Sequence, residues 1–157
     1  MKILLIEDDE NKRSALKSFL RSRIQGCNLE EAKSLQGGVR RARTTVYDFV
    51  ILDMTLPNYD PSPDEPGGGT IHSFGGREFL KQMARFRITT PVIVVTQFEK
   101  FGNPPATTNL EELDQSLRKE FPATYRGAVY YHAAIVGWQQ ELIALIASTS
   151  QDPGHTS

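Results

Sequence analysis

Three stretches, KILLI (2–6), YDFVILD (47–53) and PVIVVT (91–96), are runs of strand length that are apolar almost throughout. A strand with one wet face alternates apolar and polar residues, whereas a strand covered on both faces does not. Such runs call for helices above and below a sheet whose parallel strands are joined by crossovers. The sequence between them supplies those helices. Residues 10–24 place Ala15, Leu16, Phe19, Leu20 and Ile24 at helical spacing before Gly26. A modest helix over 34–44 is weakened by two glycines, and REFLKQMARF (77–86) is amphipathic. Asn109 and Glu112 form a capping box for a helix over 110–121, which Pro122 stops. GAVYYHA (127–133) reads as the last strand. WQQELIALIA (138–147) reads as the last helix, with Trp138, Leu142, Leu145 and Ile146 on one face. A short strand over 27–33 completes an alternation of five strands with five helices. The expected class is α/β, a five-stranded doubly wound parallel sheet.

The chain of 157 residues suits one domain, expected over 1–147, with 148–157 (STSQDPGHTS) as a disordered tail. Apolar residues at 39% and charged residues at 24% are ordinary for a soluble globular protein. A net charge of −1 argues against broad nucleic-acid binding, and Arg40, Arg41 and Arg43 read as a solvated helix face. Cys27 stands alone, so no internal disulfide forms, which fits a reducing cytosol. The apolar start before EDDE is too short for a signal core or a membrane span. These features predict a cytoplasmic protein that binds neither nucleic acid nor membrane. Two Pro- and Gly-rich loops, 57–76 and the segment after Thr96, are long for a compact domain and thus candidates for function. Neither carries the GK[ST] ending of a phosphate-cradling loop.

The ends of the apolar runs carry the chemistry. Glu7, Asp8 and Asp9 follow the first, Asp53 ends the second, and Thr96 ends the third. A doubly wound sheet gathers the carboxyl ends of its strands on one edge, where such folds bind ligands. Carboxylates meeting there repel unless a cation intervenes. An oxygen-only set suits a hard ion, Mg²⁺ above all. The competing reading is that these acids cap the helices that follow. It fits Asp9, and fits Asp53 less well because a Pro-rich loop comes next.

ILLIEDDE, DFVILDMTLP and PVIVVT, at these spacings, resemble the first, third and fourth strands of the response-regulator receiver family over residues 1–147. The resemblance implies a flavodoxin-like receiver fold, sheet order 2-1-3-4-5, with extended loops at 58–76 and 99–109 after strands 3 and 4. It implies that Glu7 and Asp8 are the acidic pair holding Mg²⁺. Asp53 would be the phosphate-accepting aspartate and a metal ligand, with the Thr55 backbone carbonyl a further ligand. Thr96 would be the switch hydroxyl and Tyr131 the switch aromatic. An aspartate carboxylate can attack a phosphoryl group to give an acyl phosphate. The chain is then at most a phosphoryl acceptor with autodephosphorylation, not an enzyme.

One departure stands out. In the family a lysine, usually followed by proline, sits three residues beyond the switch aromatic. Counted from Tyr131, that position is Ala134, followed by Ile135. His132 and Lys100 are the nearby substitutes. Two unit charges at 4 Å attract by roughly 4 kcal/mol at an effective dielectric of about 20. Losing that cation should weaken phosphate retention and the coupling to Thr96.

The leading expectation is a stand-alone, atypical or pseudo-receiver of bacterial two-component or phosphorelay signalling. It would act by binding another protein, with weak or absent phosphorylation of Asp53. The alternative is a functional phospho-receiver fed by a histidine kinase. A minor alternative is a Mg²⁺-dependent phosphohydrolase. Haloacid-type hydrolases need a second aspartate two residues after the first, and Thr55 stands there. Only 148–157 follow the last helix, so no DNA-binding domain is expected and the partner is a histidine kinase or a separate effector or sensor chain. Helices four and five with the last strand offer a homodimer face.

Overall fold

The apolar runs become the middle of a parallel sheet. In the computed structural model the described residues are 1–58, 71–72, 75–101 and 107–150. Their elements in chain order are β1 (Lys2–Ile6), α1 (Glu10–Arg23), β2 (Asn28–Ala32), α2 (Leu35–Thr44), β3 (Phe49–Leu52), β4 (Leu56–Pro57), β5 (Ile71–His72), α3 (Gly75–Arg85), β6 (Val92–Thr96), β7 (Lys100–Phe101), β8 (Thr108–Asn109), α4 (Leu110–Glu120), β9 (Tyr125–Tyr130) and α5 (Gly137–Ser150). The main sheet has the order β2-β1-β3-β6-β9, all pairs parallel. Counting its own strands alone, this is the expected 2-1-3-4-5.

Strand alternation divides the core in two. Leu4, Ile6, Val50, Leu52, Val92 and Val94 face α2, α3 and α4, where Leu35, Val39, Phe79, Met83, Leu113 and Leu117 pack on them. Ile3, Leu5, Phe49, Ile51, Ile93 and Val95 face α1 and α5, which contribute Leu16, Phe19, Leu20, Trp138, Leu142 and Ile146. The expected Trp138–Ile146 stripe is therefore core. Asn109 caps α4 as expected, its Oδ1 accepting from the Glu112 N–H at 2.8 Å.

Several boundaries differ from the sequence reading. The last strand, expected over 127–133, is β9 at Tyr125–Tyr130, because the chain then turns and His132 bridges to Ile135. The last helix runs through 148–150, with Thr149 buried and its hydroxyl donating to the Leu145 carbonyl at 2.8 Å. Those three residues are helix rather than tail, and 151–157 lie outside the described residues. The loop expected over 58–76 is closed at its base by the antiparallel pair β4–β5, and the one over 99–109 by β7–β8. Of these loops, 59–70, 73–74 and 102–106 lie outside the described residues. Helix α3 starts at Gly75, two residues early, because its first turn lies directly on the end of β3. The Gly76 N–H donates to the Met54 carbonyl at 2.8 Å. A Cβ at Gly76 would sit 2.9 Å from both the Asp53 carbonyl oxygen and the Met54 Cα.

Strand β9 carries a bulge. Val92 pairs with Tyr125 but Ile93 pairs with Gly127, so the phase shifts by one residue. Gly127 takes φ +152°, and a Cβ there would meet Leu145 Cδ2 at 3.0 Å. After the bulge Val129 and Tyr131 face α1 and α5. A Gly76→Ala variant should lose about 1–3 kcal/mol of stability, because two of the three nearest obstructing atoms are backbone and cannot swing away. Urea unfolding measures this, and an unchanged midpoint would show that α3 can retreat from β3.

Candidate functional site

The site begins with the cap of α1. Asp9 adopts an extended conformation and its Oδ2 accepts from the Lys12 N–H at 2.8 Å. That places Lys12 on the buried stripe of α1, one turn before Leu16. Its side chain is 1% exposed. The ammonium lies 2.5 Å from Glu7 Oε1 and 3.2 Å from Asp53 Oδ1, and donates to the Val95 carbonyl at 2.6 Å. One cation thus ties together the carboxyl ends of β1, β3 and β6.

The carboxylates are held from several sides. Glu7 Oε2 accepts from the Asp9 N–H at 3.0 Å. The Asp53 N–H donates to the Ile6 carbonyl at 3.0 Å, which locks the end of β3 to β1. Asp53 Oδ2 accepts from the Thr55 hydroxyl at 3.3 Å. Burial pushes the Glu7 carboxyl above its usual range and the Asp53 charge pushes it further, while Lys12 pulls it back. Asp53 is raised too, by burial first, with Lys12 again opposing and Asp8 adding to the rise. Carboxylate oxygens of Glu7, exposed Asp8 and Asp53 all lie within 4.8 Å of one another. These oxygens fit a hard divalent ion. Three carboxyl groups face a single ammonium, an excess of acid that a divalent ion would offset.

Not every residue singled out in the sequence joins them. Thr96 is fully buried at the end of β6, its hydroxyl accepting from the Phe98 N–H at 3.2 Å. The β6–β9 register pairs Thr96 with Tyr130, not Tyr131. Alternation from Val92 and Val94 directs Thr96 toward α2–α4, whereas Tyr131 packs on Trp138, ring centroids 5.1 Å apart, on the α1–α5 side. The bulge in β9 is the physical reason that Tyr131 and Thr96 do not share a face. Ala134 lies in the exposed turn after β9, its N–H donating to His132 Nδ1 at 3.2 Å. His132 is exposed in that turn, and Lys100 is exposed on β7. The tyrosine that feels the pocket is Tyr131, its phenol raised by burial and influenced by Lys12, Asp9 and Glu7.

Lys12 was the residue missed. Its signal was present, because the stripe through Leu16 and Phe19–Leu20 extends back one turn to position 12. A lysine on an apolar stripe, one turn after a run of acids, is a candidate for a buried ion pair.

The sheet reverses its winding between β1 and β3, and Glu7, Asp8 and Asp53 flank that point. Ligands of doubly wound domains bind there, so fold and site together define an α/β domain with an acidic cluster at its ligand-binding edge. Residues 3–61 match the response regulator receiver domain. A protein of Sinorhizobium fredii, the uncharacterized y4jR, is 43% identical over 141 residues, 88% of this chain and 92% of that one. The Detocs response regulatory protein DtcB of Enterobacter cloacae is 30% identical over 147 residues, 93% of this chain and 98% of that one. The receiver domain of the sensor histidine kinase PA1611 from Pseudomonas aeruginosa PAO1 was solved with a magnesium ion coordinated in its active-site cleft. It is similar at a TM-score of 0.58 and 17% identity, covering 96% of this chain and 98% of that one. The chain belongs to the response-regulator receiver family and is a signalling protein of the two-component kind.

Removing the cap that orients Lys12 is a direct test of this local order. Asp9→Ala should cost about 0.5–2 kcal/mol in thermal or urea unfolding. A loss below that range would mean that the first turn of α1 is held by Lys12 and its partners alone.

Proposed function

We propose that this receiver accepts a phosphoryl group on Asp53 from the phosphohistidine of a histidine kinase and signals to a separate protein. One observation carries the reading: the Asp53 carboxylate lies at the end of β3 with Lys12 Nζ 3.2 Å from one oxygen and Thr55 Oγ1 3.3 Å from the other. Weak or absent phosphorylation was expected because Ala134 supplies no cation. Lys12 supplies one from a different element, which removes that ground.

The chemistry is in-line displacement. A carboxylate oxygen of Asp53 forms the new P–O bond as the P–N bond of the phosphohistidine breaks, and the imidazole nitrogen leaves with the electron pair. Glu7, Asp8, Asp53 and the Thr55 backbone carbonyl would hold Mg²⁺, whose charge offsets that of the transferring oxygens. Thr55 orients the nucleophile, and the apolar ends of β3 and β6 exclude water from its inner side. Thr96 ends the neighbouring strand, buried and with its hydroxyl accepting from the Phe98 N–H, and reaching the product would require it to turn from there. In this reading the chain is a phosphoryl acceptor with at most autodephosphorylation. It works in the cytoplasm, in keeping with described residues that contain no helix long and apolar enough to cross a membrane. The 30% identical relative carries the name of a response regulatory protein, which supports a partner chain as the output. The α4–β9–α5 face is the surface available for a homodimer.

Wild-type protein incubated with Mg²⁺ and acetyl phosphate should gain one phosphoryl group by intact mass, and Asp53→Asn should gain none. A folded wild type that takes no label would leave the phosphate-independent receiver as the better reading. Asp8→Asn, at an exposed position, should weaken Mg²⁺ binding by on the order of tenfold while leaving stability unchanged. Titration calorimetry reads this.

A further inference from the structure

A lysine ammonium shut away from water persists only where partners replace its hydration. Lys12 has three: the acid ending β1, the acid of β3, and a carbonyl of β6. The contact with Asp53 Oδ1 bears on chemistry. A cation 3.2 Å from the attacking carboxylate stands within reach of the phosphoryl oxygens that carboxylate would carry. Lys100 is exposed on β7, and His132 Nδ1 accepts from the Ala134 N–H.

We propose that Lys12 is the phosphoryl-contacting cation of this receiver, so that a charge the family places after the last strand is here delivered by the first helix. The inference rests on Asp53 being the phosphoacceptor. In the transfer step the bond from Asp53 to phosphorus forms while the donor's bond breaks and its leaving group departs with the electron pair. Lys12 exchanges its contact with Oδ1 for a phosphoryl oxygen and keeps all its protons. The charge count agrees. With Lys12 in place three carboxyl groups still face a single ammonium, so the cluster keeps room for a divalent ion beside it.

Lys12→Met keeps the length and the apolar stem but removes the charge, and two readouts should move in opposite directions. Magnesium ion alone, followed by titration calorimetry, should bind several-fold more tightly, because the pocket gains a net negative charge. Labelling by acetyl phosphate at saturating Mg²⁺ should slow by on the order of 100-fold. A purely structural role would depress both together, and that result overturns the proposal. So does a variant that labels as fast as wild type or faster, which would show that Lys12 merely blocks the ion. A wild type that takes no label removes the acceptor reading, and this inference with it; a labelled wild type beside an equally labelled variant removes this inference alone. If Lys12→Met fails to fold, the wild type crystallised with Mg²⁺ and beryllium fluoride decides. Nζ of Lys12 within hydrogen-bond distance of a fluoride supports the proposal, and Nζ still bound to the carboxylates alone overturns it.

Discussion

The ammonium of Lys12 is the interaction on which the rest depends. Three strands that reach one edge by separate crossovers end in groups that share it: Glu7 from β1, Asp53 from β3 and the Val95 carbonyl from β6. Burial alone raises both carboxyls, and Lys12 opposes the rise in each. Without it, two acids with little access to water would face one another across the switch point of the sheet. Breaking a buried pair by removing one partner typically costs about 3–5 kcal/mol, because a charge is left uncompensated. Site and fold are coupled through this lysine.

The two faces of the sheet then separate the surroundings of the site. On the α1–α5 face, Phe19, Tyr131 and Trp138 close over the core beside Lys12, with Trp138 5.1 Å from both rings. On the other face, Thr96 lies above the α2–α4 core. Which side of β9 each tyrosine takes follows from a single extra residue, since the bulge between Tyr125 and Gly127 shifts the alternation. The glycine at the bulge, with φ +152° and the Leu145 side chain close by, marks where the shift is accommodated. Gly76 plays a comparable part at the end of β3, letting α3 rest directly on the backbone of Asp53 and Met54.

Much of this was legible in the residues. The continuous apolar runs specified buried parallel strands, the alternation with helices specified a doubly wound sheet, and Asn109–Glu112 marked the start of α4. Glu7, Asp8 and Asp53 could be assigned to one edge because strand ends converge in such a sheet. The reading faltered where an answer depended on phase or reach. Whether Tyr130 or Tyr131 stands beside Thr96 depends on the phase of β9, which the bulge between Tyr125 and Gly127 sets and no local pattern reveals. The tail boundary at 147 missed a last helical turn whose Thr149 is buried by packing.

The sequence by itself determined the class of fold and the acidic edge, because both follow from local patterns: hydrophobic period, strand length and the residue that ends each strand. Only the tertiary structure decided where the cation comes from. A lysine side chain spans the gap between a helix and a strand end, so its partners lie 5 and 41 positions away in sequence, at Glu7 and Asp53. Such pairing depends on how α1 docks on the sheet, which is settled by packing and not by any motif. The charge missing from position 134 had been present in the chain at position 12, on the stripe of α1 that folding turned inward.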